Sequence, residues 1–198
     1  MPRIISGRLR GRTLRVPASG TRPTSDRVRE ALFSAIDARV DLDGAAVLDL
    51  FAGSGALGLE AVSRGAGTAW FVEEGAKAVA CLRGNTRDLA AAAPGVEVVV
   101  RRGALPMAVA GQCPLSGGFD LVLADPPYES SAALDAPVLE ALLSGGWLTG
   151  DALVVWERSV RDPEVRWPDG LEVEFARTYG DTAVEMARPV VTGAEPAD

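Results

Sequence analysis

The sequence predicts an α/β fold, a mostly parallel sheet with helices on both faces, and three observations predict it. Between residues 45 and 157, short and nearly continuous apolar runs alternate with stretches of helical periodicity, as in strands buried on both sides. The first run ends in a Gly-rich turn, Val47-Leu48-Asp49-Leu50-Phe51-Ala52-Gly53-Ser54-Gly55-Ala56-Leu57-Gly58, that leads directly into a helix. Near the C-terminus two alternating segments flank Tyr179-Gly180-Asp181-Thr182, the pattern of an antiparallel hairpin.

Residues 1–22 read as a separate basic extension, a β-hairpin or extended arm lying against the main domain. The apolar Ile4-Ile5, Leu14 and Val16 are set there among arginines and glycines. The main domain spans 23–191 and opens on Arg22-Pro23-Thr24-Ser25-Asp26, where the hydroxyls cap a helix and Asp26 complements its dipole. Val28, Ala31, Leu32, Ala35 and Ile36 then repeat at helical spacing, as on an amphipathic helix packed against a core. Strands follow at Ala45–Leu50, Thr68–Glu73, Val96–Arg101, Phe119–Ala124 and Leu153–Glu157. Helices are expected at Leu57–Arg64, Ala76–Ala92 and Ala132–Leu143, with a shorter segment near Ala104–Ala110. The closing hairpin pairs Leu171–Thr178 with Ala183–Arg188, and residues 192–198 form a flexible tail.

Composition narrows the chemistry. The chain of 198 residues suits one sizeable core. It has no histidine, which removes histidine bases, Ser-His-Asp triads and histidine-ligated metals, and no metal site is expected. Cys81 and Cys113 have neither metal nor disulfide spacing and read as two reduced, half-buried thiols. The N-terminus lacks the apolar core of a secretory signal and no stretch is long enough to span a bilayer, so a cytoplasmic location is expected.

The net charge of −7 hides a segregation: residues 1–39 hold nine arginines against three acids, while the rest hold 11 basic and 24 acidic groups. A basic end on an acidic body is the footprint of a protein that touches phosphate with one end only. The candidate RNA-binding residues are Arg3, Arg8, Arg10, Arg12, Arg22, Arg27 and Arg29. Arginine suits this task because its planar fork binds phosphate through two parallel hydrogen bonds.

Three features describe the ligand. Asp49 precedes the glycines, where a carboxylate can accept from a ligand amine or order a water. Glu73 ends the next strand about 20 residues on, the spacing at which an acid accepts both ribose hydroxyls of an adenosine. The turn is not followed by a lysine, so it is no P-loop, and the ligand is expected to be a nucleoside with little or no phosphate. The third feature is Asp125-Pro126-Pro127-Tyr128, directly after an apolar strand. Two prolines stiffen the turn and remove two N–H donors. A carboxylate and a carbonyl can then accept both protons of an exocyclic amine while Tyr128 stacks on the ring.

With these residues in hand the chain resembles the class I S-adenosylmethionine-dependent amino methyltransferases, whose (Asp/Asn)-Pro-Pro-(Tyr/Phe) motif stands here as Asp125 to Tyr128. More narrowly, Arg3-Ile4-Ile5-Ser6-Gly7, Arg10-Gly11-Arg12, the segment Arg22 to Glu30 and the segment Phe51 to Ala61 resemble the RsmD family. The resemblance covers the whole chain except its tail. It implies a Rossmann-like class I methyltransferase fold, with a seven-stranded mostly parallel sheet and an antiparallel C-terminal hairpin. It also implies a monomer, S-adenosyl-L-methionine as cofactor, and methyl transfer to the N2 amine of guanine 966 in 16S rRNA. The partner would be that RNA within the small ribosomal subunit or an assembly intermediate.

Carried over residue by residue, Asp49, Gly53 and Gly55 line the methionine part of the cofactor, Phe51, Ala52, Ser54 and Gly58 belong to the same cofactor-binding turn, and Glu73 takes the ribose. Gly103 and Ala104 lie near the adenine; many relatives have Asn or Asp at Gly103, so backbone atoms stand in for a side chain here. Asp125, Pro126, Pro127 and Tyr128 are the catalytic motif, with Asp125 also facing the cofactor. Rival readings are a DNA adenine-N6 methyltransferase, which usually carries a target-recognition region for which so short a chain leaves little room, and a glutamine methyltransferase, which tends to have Asn at position 125. A nucleotide-binding assembly factor without chemistry would not need the motif, and a nicotinamide dehydrogenase would need a third glycine in the turn.

Overall fold

Five parallel strands and one antiparallel pair form a seven-stranded sheet, in a computed structural model that describes residues 2–17, 25–127 and 131–190. In chain order the elements are α1 (Asp26–Asp37), β1 (Ala46–Leu50), α2 (Ala56–Arg64), β2 (Thr68–Glu73), α3 (Ala76–Ala90) and β3 (Glu97–Arg102). There follow β4 (Phe119–Ala124), α4 (Ser131–Ser144), β5 (Leu148–Ser159), β6 (Leu171–Tyr179) and β7 (Thr182–Pro189). The sheet order is β3-β2-β1-β4-β5-β7-β6, with β7 antiparallel to both β5 and β6. The fold is thus the doubly wound arrangement that the alternation of apolar strands and helices predicts, with β3 and β6 at its open edges.

The two faces of the sheet follow the period of two along each strand. Leu48, Leu50, Val122, Val154 and Trp156 point to one side and pack under Val138, Leu139 and Leu142 of α4. Val47, Leu121, Leu123, Leu153 and Val155 point to the other, against Leu32, Phe33 and Ile36 of α1 and Leu57 and Ala61 of α2. Ser25 caps α1 by accepting the Val28 N–H at 3.3 Å, and Asp26 sits in the first turn. Pro23 and Thr24 lie outside the described residues.

Two elements of the main domain differ from their sequence reading by more than two residues. β5 starts at Leu148, five residues before the expected Leu153: Leu148 pairs with Phe119 of β4, and the residues between it and Leu153, which carry no apolar pattern, form the irregularity where the register shifts before Leu121 pairs with Leu153. The segment near Ala104–Ala110 is a single 3-10 turn, Met107–Val109.

The N-terminal arm is a compact loop rather than a ladder. It has one antiparallel bridge, between Arg3 and Thr13, and tight turns between. Its hold on the body is apolar and polar together. Ile4, Leu9 and Leu14 are buried with Leu59 and Val62 of α2, Phe71 of β2, and Leu82 and Leu89 of α3. Burying each such side chain contributes on the order of 1.5–3 kcal/mol. Glu60, itself buried on α2, accepts the Ile5 N–H at 2.7 Å and the Ser6 N–H at 2.9 Å. Ser63 accepts the Leu9 N–H at 2.9 Å and donates its hydroxyl to the Ser6 carbonyl. Side chains of α2 thus supply the partners that a second strand would otherwise offer.

Candidate functional site

A parallel sheet carries its ligands beyond the carboxyl ends of its strands, where the order reverses, and here that reversal lies between β1 and β4. The register sets Leu50 beside Ala124, and Val72 beside Leu50. The residues that leave these strand ends are therefore neighbours across the crevice. They are Phe51 after β1, Glu73 at the end of β2 and Asp125 after β4.

Asp49, one residue before the end of β1, is 2 % exposed and accepts the Gly58 N–H at 2.8 Å. That bond reaches over the turn to the first turn of α2 and needs a bare Cα at position 58. A Cβ there would lie 2.4 Å from the Phe71 ring and 3.0 Å from the Asp49 Cβ. Burial pushes the Asp49 carboxyl well above its usual range; the Gly58 N–H opposes that shift, while the charges of Asp125 and Glu73 add to it. A buried acid flanked by other acids is a site that favours a cationic group.

Between Asp49 and Gly58 the chain turns sharply. Phe51 adopts φ 58°, unusual for a side-chain-bearing residue, and packs its ring edge-on against Trp156 at 6.1 Å. Gly55 has φ 82° and heads α2, and a Cβ on it would meet Leu82 of α3 at 2.5 Å. Ala52 donates to the Val72 carbonyl at 3.0 Å, tying the turn to β2. Glu73 holds the two loops together: one carboxylate oxygen accepts the Gly53 N–H at 2.8 Å and the other the Gly75 N–H at 2.7 Å. Each oxygen keeps a further lone pair, so the carboxylate can still receive a pair of ligand hydroxyls.

The remaining candidates line the same end of the sheet. Gly103 follows β3 and gives its N–H to the Glu73 carbonyl at 3.1 Å, while the Ala104 carbonyl accepts from Ala108 at 2.8 Å. Both backbone groups are used in shaping the loop. Asp125 and Pro127 are exposed and Pro126 is buried, in a non-helical turn directly after β4. Tyr128 lies outside the described residues. No group of three metal-ligating side chains occurs among the described residues, and no helix among them is long and apolar enough to cross a membrane. Cys81 and Cys113 are free thiols.

The arginines divide. Arg10 and Arg27 are exposed, as are Arg3, which pairs with Asp26 at 3.1 Å, and Arg12, which donates to the Asp88 carbonyl at 3.3 Å. Arg8 is exposed but directs its guanidinium at the Val62 and Ala66 carbonyls. Arg22 lies outside the described residues. Arg29 corrects the sequence reading: its side chain is 1 % exposed, donates to Asp26 at 2.9 Å and to the Arg3 carbonyl at 2.5 Å, and cannot reach a phosphate. Burial lowers its pKa, against the opposing charges of Glu60, Asp26 and Glu157. Arg29 is an internal clamp between α1 and the arm, which its place among the basic residues of the N-terminal segment had not revealed.

Sequence reasoning also passed over Glu60 and Asn85. Glu60 sits among Leu59, Ala61 and Val62, and a charge within an apolar run was the available signal. Asn85 of α3 carried none.

Comparison with known proteins adds the final observation. The family model described as Conserved hypothetical protein 95 matches residues 2–188. The ribosomal RNA small subunit methyltransferase D of Escherichia coli K12 is 36 % identical over 197 residues, spanning 99 % of this chain and 94 % of that protein. The putative rRNA methyltransferase YlbH of Bacillus subtilis is 35 % identical, over 93 % of this chain and 97 % of that protein. A solved structure of the putative methyltransferase yhhF from Escherichia coli superimposes with a TM-score of 0.82 at 32 % identity, covering 96 % of this chain and 99 % of that one.

Proposed function

Because this chain belongs to the RsmD family of small-subunit ribosomal RNA methyltransferases, we propose that it transfers a methyl group from S-adenosylmethionine to the N2 amine of one guanine, guanine 966, in 16S rRNA. The observation that carries this reading is the position of Asp125-Pro126-Pro127 at the end of β4, directly across the crevice from the Asp49 turn. A donor pocket and an amine-binding motif then share one opening.

The residues present fit this cofactor. Asp49, buried and acidic, would hold the methionine ammonium. The turn Ala52–Gly55, packed against Leu82 through the bare Gly55, would border the chain of the ligand. Glu73 would take the ribose diol with its remaining lone pairs, and the Gly103-Ala104 backbone would flank the adenine. When bound, the cofactor supplies a methyl already activated by a sulfonium.

What the chain itself must do is prepare the nitrogen. The N2 lone pair of guanine is delocalised into the ring and nucleophilically weak. Hydrogen bonds from the amine to the Asp125 carboxylate and the Pro126 carbonyl pull it toward tetrahedral geometry and aim its lone pair. Pro126 and Pro127 have fixed φ, so the acceptors wait in position. Orientation of this kind is worth about 7–11 kcal/mol of barrier in well-aligned reactions. In this reading Tyr128 stacks on a base taken out of its RNA context. Asp125, as the carboxylate bonded to the amine, is also the group that can receive the proton released on methylation.

The test is transfer of labelled methyl from S-adenosylmethionine to small ribosomal subunits lacking base methylation, beside naked 16S rRNA, duplex DNA and protein. Label in N2-methylguanosine is the expected result. Label in N6-methyladenine or in protein would overturn the substrate.

Two further predictions arise here. Since the folded Asp49 carboxyl titrates above its unfolded value, the stability it confers is full below pH 3.8 and is lost as pH rises toward the folded pKa. A bound cation reverses this, favouring the ionised form and expelling the proton. S-adenosylmethionine binding should therefore tighten as pH rises through that titration, by at most about tenfold per pH unit. Calorimetry below about pH 7, where the ligand amine stays protonated, should find proton release in the wild type and none in Asp49→Asn; equal release in both would refute the assignment. Separately, Arg10→Ala should weaken RNA binding at all sequences alike and lower the slope of log K against log salt by about 1. An unchanged slope would remove Arg10 from the contact surface.

A further inference from the structure

The amide of Asn85 touches two places at once. The side chain is 3 % exposed on α3. Its oxygen accepts the Arg15 N–H at 2.9 Å, and its nitrogen donates to the Arg15 carbonyl at 2.9 Å and to the Ser54 carbonyl at 2.9 Å. Arg15 belongs to the basic arm; Ser54 belongs to the Gly-rich turn at the head of the crevice. One side chain thus spends both its N–H groups and an oxygen lone pair on joining the two.

The surroundings make this junction directional. Leu82, one helical turn before Asn85, is the residue that Gly55 would strike if it carried a Cβ, so the same face of α3 supports the turn at two points. Leu14, just before Arg15, is buried in the cluster that holds Leu82. The Arg15 side chain continues outward, 68 % exposed, to Asp88 at 3.0 Å. Arg15 therefore presents a guanidinium to solvent while its own peptide groups fix the Asn85 amide plane. With the arm docked, that plane is set and the second N–H points at Ser54. With the arm displaced, the amide is released to rotate and the turn loses its brace.

We propose that Asn85 is a positioning residue that links the arm to the cofactor turn, so that RNA on the arm and ligand in the turn strengthen one another's binding. The proposal rests on the cofactor and RNA reading given above and adds a coupling between the two sites. Neither ligand touches Asn85; each favours the docked state that orders the other's site, and linkage requires the same factor in both directions.

The experiment uses the full chain, S-adenosylhomocysteine and small ribosomal subunits lacking base methylation. Subunit affinity is measured with and without saturating S-adenosylhomocysteine, and S-adenosylhomocysteine affinity with and without saturating subunits. The wild type should tighten by the same factor each way, about fivefold or more. Asn85→Ala and the isosteric Asn85→Asp, which sets a carboxylate against two carbonyls, should bring that factor to one. A purely structural Asn85 would lower melting temperature and both affinities in the variants but leave the factor unchanged, and that result overturns the proposal. Wild-type binding of both ligands without coupling overturns it as well, with no variant needed and the cofactor reading intact. Failure of the wild type to bind S-adenosylhomocysteine at all would fell the cofactor reading, and this proposal with it.

Discussion

Asp125→Ala is expected to lower kcat for methyl transfer by about 10²- to 10³-fold, the cost of removing one prepositioned hydrogen-bond partner from a reacting centre. The expectation follows from where the residue stands. Asp125 leaves β4 beside the end of β1, and the next two residues are prolines that hold its backbone still. The alanine keeps that backbone, so the main loss is the carboxylate itself. Affinity for S-adenosylhomocysteine should change far less than kcat, because Asp49 and Glu73 are untouched. Asp125→Asn should fall between, since an amide oxygen still accepts the one hydrogen bond assigned to Asp125 but is uncharged and cannot receive the released proton. Steady-state kinetics with saturating subunits separates the terms: a change confined to KM would make Asp125 a binding residue and remove it from the chemistry. Activity near wild type in Asp125→Ala would sink the mechanism.

Glu60→Ala is expected to destabilise the protein by about 3–5 kcal/mol, as breaking a buried charge pair does. Glu60 is 0 % exposed and receives the Ile5 and Ser6 N–H groups and Arg64 Nε at 3.0 Å, so its loss leaves several donors without a partner. For a chain of this size the melting temperature should fall by about 6–20 °C. Glu60→Gln, which keeps the shape and one good acceptor, should cost less. Hydrogen exchange would locate the damage: the Ile5 and Ser6 amides should lose protection before β1 or β4. A melting curve like that of the wild type would mean that the apolar contacts of Ile4, Leu9 and Leu14 hold the arm unaided.

The sheet was legible because its strands are buried on both faces, so each of β1, β2 and β4 is a nearly unbroken apolar run and its ends fall within a residue of where composition changes. β5 was legible only over its buried half; its start at Leu148 rests on one pairing with Phe119 ahead of an irregular stretch, which no local pattern encodes. In the site, Asp49, the glycines and Glu73 stood out because strand ends and turns have strong local signatures. Gly58 was read as a cofactor position, yet what demands a glycine there is the ring of Phe71 and the Asp49 Cβ, contacts made only after α2 folds back on the sheet. Arg29 was misread for the same reason. Charge counts treat every arginine as solvated, and only packing reveals one that has turned inward.

The open edges of the sheet bear on how this protein behaves when crowded. An unpaired strand offers a row of backbone donors and acceptors to any second copy. β6 answers with Glu172, Glu174 and Arg177 exposed along it and a register irregularity between Val173 and Phe175. β3 answers with exposed Glu97, Arg101 and Arg102 at its two ends. Two β6 strands meeting edge to edge would bring carboxylates together along a bent backbone, so the chain resists the strand-on-strand growth that leads to fibres. Glu174 also ties β6 to Arg39 and Arg188; the value of the other edge charges lies in the contacts they prevent.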